Sequence, residues 1–287
     1  MTLRVGAGVE RVDAMRNNAS GHAGVWALGA RSTPRAVRRN DSLFGGANAA
    51  NADGLRQRTL PIYAPFELPQ KCPELGPREL HIWILENVGN PGRCWQLLSP
   101  DERKRATRFH KECDANRFTV FRATLRQILG GYLDVPPEAV QLAYTAYGKP
   151  FLHDAPGSLE FNVSHSGPIA LIAIARHHPV GIDIEAINHD FPVAEMAPAV
   201  FSPDELVRFS KLPVDAKWTE FFRTWVAKEA YLKALGKGLS IEHNMLEVAS
   251  LPVEIITTVD GFASAISMPT STPTKIRRIT SFSSFRC

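Results

Sequence analysis

Two hydrophobic periods alternate along this chain, and their order predicts its elements. His81-Ile82-Trp83-Ile84-Leu85-Glu86 is a β-branched and aromatic run that reads as a buried strand, so order is expected to begin near Leu80. Ser99-Pro100-Asp101-Glu102 then supplies a cap residue, proline at the first helical position and glutamate three after the cap, the chemistry of a helix start. A helical stretch rich in Arg, Phe and Leu is expected from there to Leu129, stopped by Gly130-Gly131. Phe161 to Gly167 reads as a strand ending in a polar cluster, and Ile169 to Ala175 as a wholly apolar strand.

The same order recurs about 100 residues later, which suggests a duplicated subdomain. Val180-Gly181-Ile182-Asp183-Ile184-Glu185 is a strand, and Ser202-Pro203-Asp204-Glu205 repeats the helix start letter for letter. A helix carrying Phe221, Phe222, Trp225, Val226 and Leu232 follows, closed by Gly236 and Gly238. The repeated tetrapeptide is also simply good capping chemistry. Leu246 to Val253, Phe262 to Met268 and Lys275 to Phe282 read as later strands. In residues 1–60 the apolar positions follow neither period, and Gly45-Gly46 runs into a small-residue stretch with nothing to bury, so this leader is expected to be disordered.

Composition narrows the class. Of 287 residues, 44% are hydrophobic and 22% charged, enough to bury a sizeable core. The longest apolar run, Ile169 to Ala175, falls far short of the roughly 18 residues of a membrane-spanning helix, so none is expected. Four cysteines without CxxC pairing argue against a disulfide framework or a cysteine zinc site and for reduced thiols in the cytoplasm. Residues 1–60 hold nine Arg, no Lys and four acidic residues, a local net of +5 in a chain of +4, so the remaining body sums to −1. A nucleic-acid footprint would have to lie in that leader, and an organelle transit peptide is disfavoured by its four acids and three Ser.

Three segments carry candidate chemistry. Asp183 and Glu185 lie two apart in a strand, hence on one face, with Ile182 and Ile184 on the other. Like carboxylates on one face call for a cation or for solvent. Glu229 falls inside the apolar stripe of its helix, and a buried carboxylate needs a strong partner: Lys233 at i+4, or the same ion as Asp183 and Glu185. Three oxygen ligands with open positions are a common way of holding Mg²⁺ beside phosphate. His165 sits in the polar cluster and Lys149 on the stiffened turn Tyr147-Gly148-Lys149-Pro150, each either a ligand contact or a loop residue.

Taken together, Gly148-Lys149-Pro150, Phe161-Asn162-x-Ser164-His165-Ser166-Gly167, Val180 to Glu185, and Phe222-x-x-Trp225-x-x-Lys228-Glu229-Ala230-Tyr231-Leu232-Lys233-x-x-Gly236-Lys237-Gly238-Leu239 resemble an Sfp-type 4′-phosphopantetheinyl transferase, in that order and spacing. Ser99 to Arg117 also resembles this family's first long helix region, so the likeness runs from about Leu80 to Val248. It implies an α+β fold of two similar subdomains about a pseudo-two-fold, each a small sheet on a long helix, with the active site between them. The expected division is 61–179 and 180–287 after the leader. The resemblance assigns Asp183, Glu185 and Glu229 to Mg²⁺. It places Arg105, Arg117, Lys149, Ser164 and His165 around coenzyme A, and Lys228 and Lys233 near its pyrophosphate.

The reaction it implies moves the phosphopantetheine arm of coenzyme A onto a serine of an apo acyl, polyketide or peptidyl carrier protein, releasing 3′,5′-ADP. Glu229, or a water it orients, accepts the serine proton, and Lys233 stabilises the leaving phosphate. A monomer without membrane or nucleic-acid partners is expected. Two other readings stay open: a Mg²⁺-dependent nucleotide or coenzyme A hydrolase, and a degraded transferase that binds through its basic leader. The family continues beyond Lys275–Phe282 with one more strand of the second sheet, whereas here the chain runs into Ser283 to Cys287, so that strand is expected to be missing.

Overall fold

The computed structural model of the protein describes residues 72–86, 91–92, 94–153, 159–236, 243–270, 273 and 275–281; the leader and Gly238 lie outside them. The first half holds β1 (Glu79–Glu86), α1 (Cys94–Leu97), α2 (Pro100–Ala106), α3 (Glu112–Leu133), the hairpin of β2 (Leu142–Tyr144) and β3 (Pro150–Leu152), then β4 (Leu159–Ser166) and β5 (Ile169–Arg176). The second holds β6 (Gly181–Ala186), α4 (Val193–Val200), α5 (Pro203–Ser210), α6 (Val214–Leu235), β7 (Val253–Ile255), β8 (Phe262–Ser267) and β9 (Lys275–Ser281). The architecture is α+β, as expected.

Both predicted helix starts are formed. In α2 the Ser99 hydroxyl accepts from Glu102 N, and Glu102 Oε2 accepts from Ser99 N at 2.8 Å; Ser202 and Glu205 do the same for α5. Neither start leads into one long helix, because the chain breaks at residues 107–111 and again at Pro213 before the long helices α3 and α6 begin. Gly130-Gly131 does not stop α3, which runs on to Leu133. These glycines serve close approach instead, since a Cβ would lie 2.7 Å from Val135 O at Gly130 and 2.6 Å from Cys72 Sγ at Gly131. Gly236 does end α6, in the left-handed conformation that favours glycine (φ 66°).

Strand alternation builds the layers. On β1, Trp83 and Leu85 join the core beneath α3, while Leu80, Ile82 and Ile84 face the other way. On β5, Ile172 and Ile174 face α3, and Ile169, Leu171 and Ala173 face away. These outward faces meet Ile182 and Ile184 of β6 and Ile266 of β8 in a central core between two sheets, and α6 packs its aromatic stripe against Ala263 and Ala265 of β8. Burial on both faces explains why β1 and β5 read as continuous apolar runs.

The first sheet has the order β4-β5-β1-β9 and the second β6-β8-β7. Two expectations are corrected here. Leu246 to Val253 is mostly short 3₁₀ turns, with a strand only at Val253–Ile255. The strand at Lys275 crosses back and pairs in parallel with β1, Leu80 opposite Ile276, instead of extending the second half. Cys72 and Cys113 are free thiols. Among the described residues, no helix is long and apolar enough to cross a membrane.

Candidate active site

The site grows from the seam where β4 meets β6. Residues 162, 164 and 166 share one face of β4, and all three are buried. Asn162 Oδ1 accepts from Ile182 N at 2.9 Å and Ser166 Oγ from Ala186 N at 2.9 Å, so polar side chains take the place of a backbone ladder along the edge of β6. The same row reaches the carboxylates: Ser164 Oγ donates to Asp183 Oδ1 at 2.7 Å and Ser166 Oγ to Glu185 Oε2 at 3.0 Å.

Asp183 and Glu185 are 3% and 6% exposed, and their cross-strand neighbours Ala265 and Ala263 are small, which leaves room on that face. Gly181, at the start of β6, lets α6 come close: a Cβ there would stand 1.9 Å from Ala230 O. The approach brings Lys233 to the strand, where its ammonium is paired with Asp183 and donates to Ser164 Oγ at 3.0 Å. Its side chain keeps 29% exposure, so it looks outward as well as inward. The expected alternative of a Glu229–Lys233 pair is not formed. Buried Glu229 has His243 Nε2 2.6 Å from its Oε1 instead.

Burial raises the Asp183 carboxyl above its ordinary range, with Lys233 opposing and the charge of Glu229 adding to the rise. Burial and the neighbouring Asp183 push Glu185 up to about 8. The three carboxylates therefore act on one another, and each also meets a protein group: Ser164 and Lys233 at Asp183, Ser166 at Glu185 and His243 at Glu229. Among the described residues, no group of three or more acidic, histidine or cysteine side chains is gathered closely enough to hold an ion as placed. Asp183 Oδ2 is buried without a hydrogen-bond partner. An orphaned carboxylate oxygen, with two like charges close by, suits a hard dication.

The remaining expected residues lie in different settings. Lys228 is fully buried, and its ammonium meets Glu205, Val200 O at 2.7 Å and His243 O at 3.1 Å. An ammonium has three donors and all three are engaged, so the expected pyrophosphate contact is not available to it. The same arrangement appears in the first half, where Arg126 Nε bonds the buried capping glutamate Glu102 at 2.6 Å. Lys149 donates to Val180 O at 3.2 Å and Ala234 O at 3.3 Å, tying the β2–β3 hairpin to the end of α6, and burial lowers its pKa to about 8.

His165 points to the opposite face of β4 from Ser164, with its ring centroid 6.0 Å from that of Phe121 on α3. Arg117 is ion-paired with Asp114 at 3.5 Å. Arg105 stands over the Phe118 ring at 5.4 Å and lines a cleft of about 580 Å³ with Lys104, Arg108, Phe109 and Tyr144, between α2 and the hairpin. His243 carried no sequence signal, because it falls in a 3₁₀ turn outside any periodic pattern. The roles of Asn162 and Ser166 were open to alternation alone: polar residues two apart on a buried strand must find partners.

Buried acidic groups countered by a lysine thus lie in the seam between β4, β6 and α6 of an α+β fold. Residues 179–278 match the 4′-phosphopantetheinyl transferase superfamily, and residues 92–177 match the N-terminal part of a 4′-phosphopantetheinyl transferase. The chain is 39% identical over 181 residues to the 4′-phosphopantetheinyl transferase HetI of Nostoc sp., a match covering 61% of this chain and 76% of that protein. Against the 4′-phosphopantetheinyl transferase Sfp of Bacillus subtilis it is 31% identical over 150 residues, covering 52% and 65%. Against the L-aminoadipate-semialdehyde dehydrogenase-phosphopantetheinyl transferase of Xenopus laevis it is 29% identical over 172 residues, covering 56% of each. The chain belongs to the 4′-phosphopantetheinyl transferase family, a family of transferase enzymes.

Proposed function

We propose that this protein transfers the 4′-phosphopantetheine arm of coenzyme A to a serine hydroxyl of an apo carrier protein, with Mg²⁺ and with 3′,5′-ADP as leaving group. Acyl, polyketide and peptidyl carriers fit the chemistry equally. The observation that supports this reading most is the Asp183–Glu185–Glu229 group, with Asp183 Oδ2 buried and unpartnered and Lys233 beside it.

Asp183, Glu185 and Glu229 are the residues that would hold Mg²⁺, which when bound offsets the charge of the pyrophosphate. Lys233, fixed by Asp183 and Ser164, presents its ammonium to the leaving phosphate. The Glu229 carboxylate takes the proton of the attacking serine as the new O–P bond forms and the anhydride O–P bond breaks. Ser164 acts by setting Asp183 and Lys233. The basic cleft of Arg105, Lys104 and Arg108 takes the nucleotide end of coenzyme A, with Arg117, Lys149 and His165 shaping its approach. Most of the rate gain then comes from positioning and electrostatics.

Incubation with coenzyme A, Mg²⁺ and an apo carrier domain, read as intact mass, tests the proposal. A gain of one phosphopantetheine arm, abolished by EDTA and by Asp183→Ala, is expected. An unchanged carrier mass with folded protein refutes it.

A further inference from the structure

His243 has no part in the reaction as described above, yet three independent contacts fix it. It is 1% exposed. Its ring lies parallel to that of Trp225, with centroids 4.9 Å apart and planes 4° apart. Its carbonyl accepts from Lys228 Nζ at 3.1 Å and from Leu246 N at 3.0 Å, which anchors the 3₁₀ turn (His243–Met245) that carries it. Its Nε2 lies 2.6 Å from Glu229 Oε1. The stack sets the ring plane and the backbone bonds set the ring's origin, leaving Nε2 one direction to point. An ionised carboxylate only accepts, so Nε2 carries the proton of this bond when Glu229 is ionised.

We infer that His243 is a positioning residue: it fixes the Glu229 carboxylate in the orientation in which it would share a Mg²⁺ with Asp183 and Glu185. The inference rests on the Mg²⁺ reading of those carboxylates. It also gives Lys228 a purpose in place of a ligand contact. Glu205, in the capping box of α5, fixes Lys228; Lys228 fixes the His243 backbone; and the imidazole fixes Glu229. A side chain that orients a metal-binding carboxylate through a hydrogen bond acts on metal affinity more than on the chemical step.

The test is Mg²⁺ binding to the full chain without coenzyme A, by titration calorimetry, beside the transfer assay at varied Mg²⁺. His243→Phe keeps the stack on Trp225 and removes the N–H. His243→Gln brings an amide N–H to about the same point, and Asp183→Ala monitors the underlying reading. In His243→Phe, Mg²⁺ affinity should fall roughly tenfold to a hundredfold. The Mg²⁺ needed for half-maximal transfer should rise by the same factor, with kcat at saturating Mg²⁺ held within about threefold. His243→Gln should return both values to within about threefold of the parent. Parental Mg²⁺ affinity in His243→Phe, with Asp183→Ala unable to bind, overturns the positioning role alone. Parental affinity in Asp183→Ala overturns the Mg²⁺ reading and this inference with it. Should His243→Phe fail to fold, His243→Asn replaces it, its amide being too short to reach Glu229. A loss in Asn that Gln does not share supports the role, and equal affinities overturn it.

Discussion

Replacing Lys228 with methionine separates a structural lysine from a ligand-binding one. Methionine preserves the length and apolar stem of the side chain but removes three donated hydrogen bonds at once. Glu205 would keep its bonds from Ser202 N at 2.9 Å and Val248 N at 2.8 Å but lose its counter-ion, and the carbonyls of Val200 and His243 would lose donors inside the protein. Breaking a buried ion pair by deleting one partner costs about 3–5 kcal/mol. At roughly 2–4 °C per kcal/mol for a chain of this size, Tm should fall by roughly 6–20 °C. Activity measured well below the lowered Tm, at saturating Mg²⁺, should show a KM for coenzyme A within about twofold of the parent, because no Lys228 donor is left to reach the pyrophosphate. The assay pairs a thermal melt with initial rates at varied coenzyme A. A variant that melts like the parent while its KM for coenzyme A rises tenfold would refute the structural assignment.

Three further outcomes follow from the seam. Glu185 has its folded pKa pushed up to about 8, so the unfolded chain releases this proton at lower pH than the folded one. In metal-free buffer stability should therefore fall as pH rises from the ordinary carboxylate range towards 8, and Glu185→Gln should flatten that slope in melts run across the range. Asn162→Leu strands the N–H of Ile182 and should cost about 1–3 kcal/mol in urea unfolding, against which an unchanged midpoint would count. Gly181→Ala forces α6 away from β6 and should cost about 3 kcal/mol in the same assay, with loss of transfer; a fully active, equally stable variant would show that the helix is free to shift.

Much of this was open to reading along the chain because it is local. The capping boxes at Ser99 and Ser202 need only four residues each, and both form. The shared face of Asp183 and Glu185 and the burial of Glu229 follow from strand and helix periods. What failed depends on tertiary partners. Lys228 and Lys233 sit five apart on one helix, and nothing local tells which of them turns to a capping glutamate and which to a strand carboxylate. Glu229 was placed in the core correctly, but its partner lies 14 residues on in a turn with no periodic signal. Gly130-Gly131 looks like a helix stop and instead makes room for Val135 and Cys72, a use that only the packed neighbours reveal.

The parallel pairing of β9 with β1 has a consequence for the order of assembly. Glu79 lies opposite Lys275, so the first sheet draws on the two ends of the described chain, with the whole second half synthesised between them. During synthesis β1 has β5 on one side only, and its other backbone edge stays exposed although the strand is apolar on both faces. Such an edge is a template for pairing with other chains, and it persists until the last strand emerges. Contacts this distant in sequence also form slowly, because a long loop must close before they contribute. The sheet of the first half is thus completed only after the second half has been made, and until then the free edge of β1 is its weak point for aggregation.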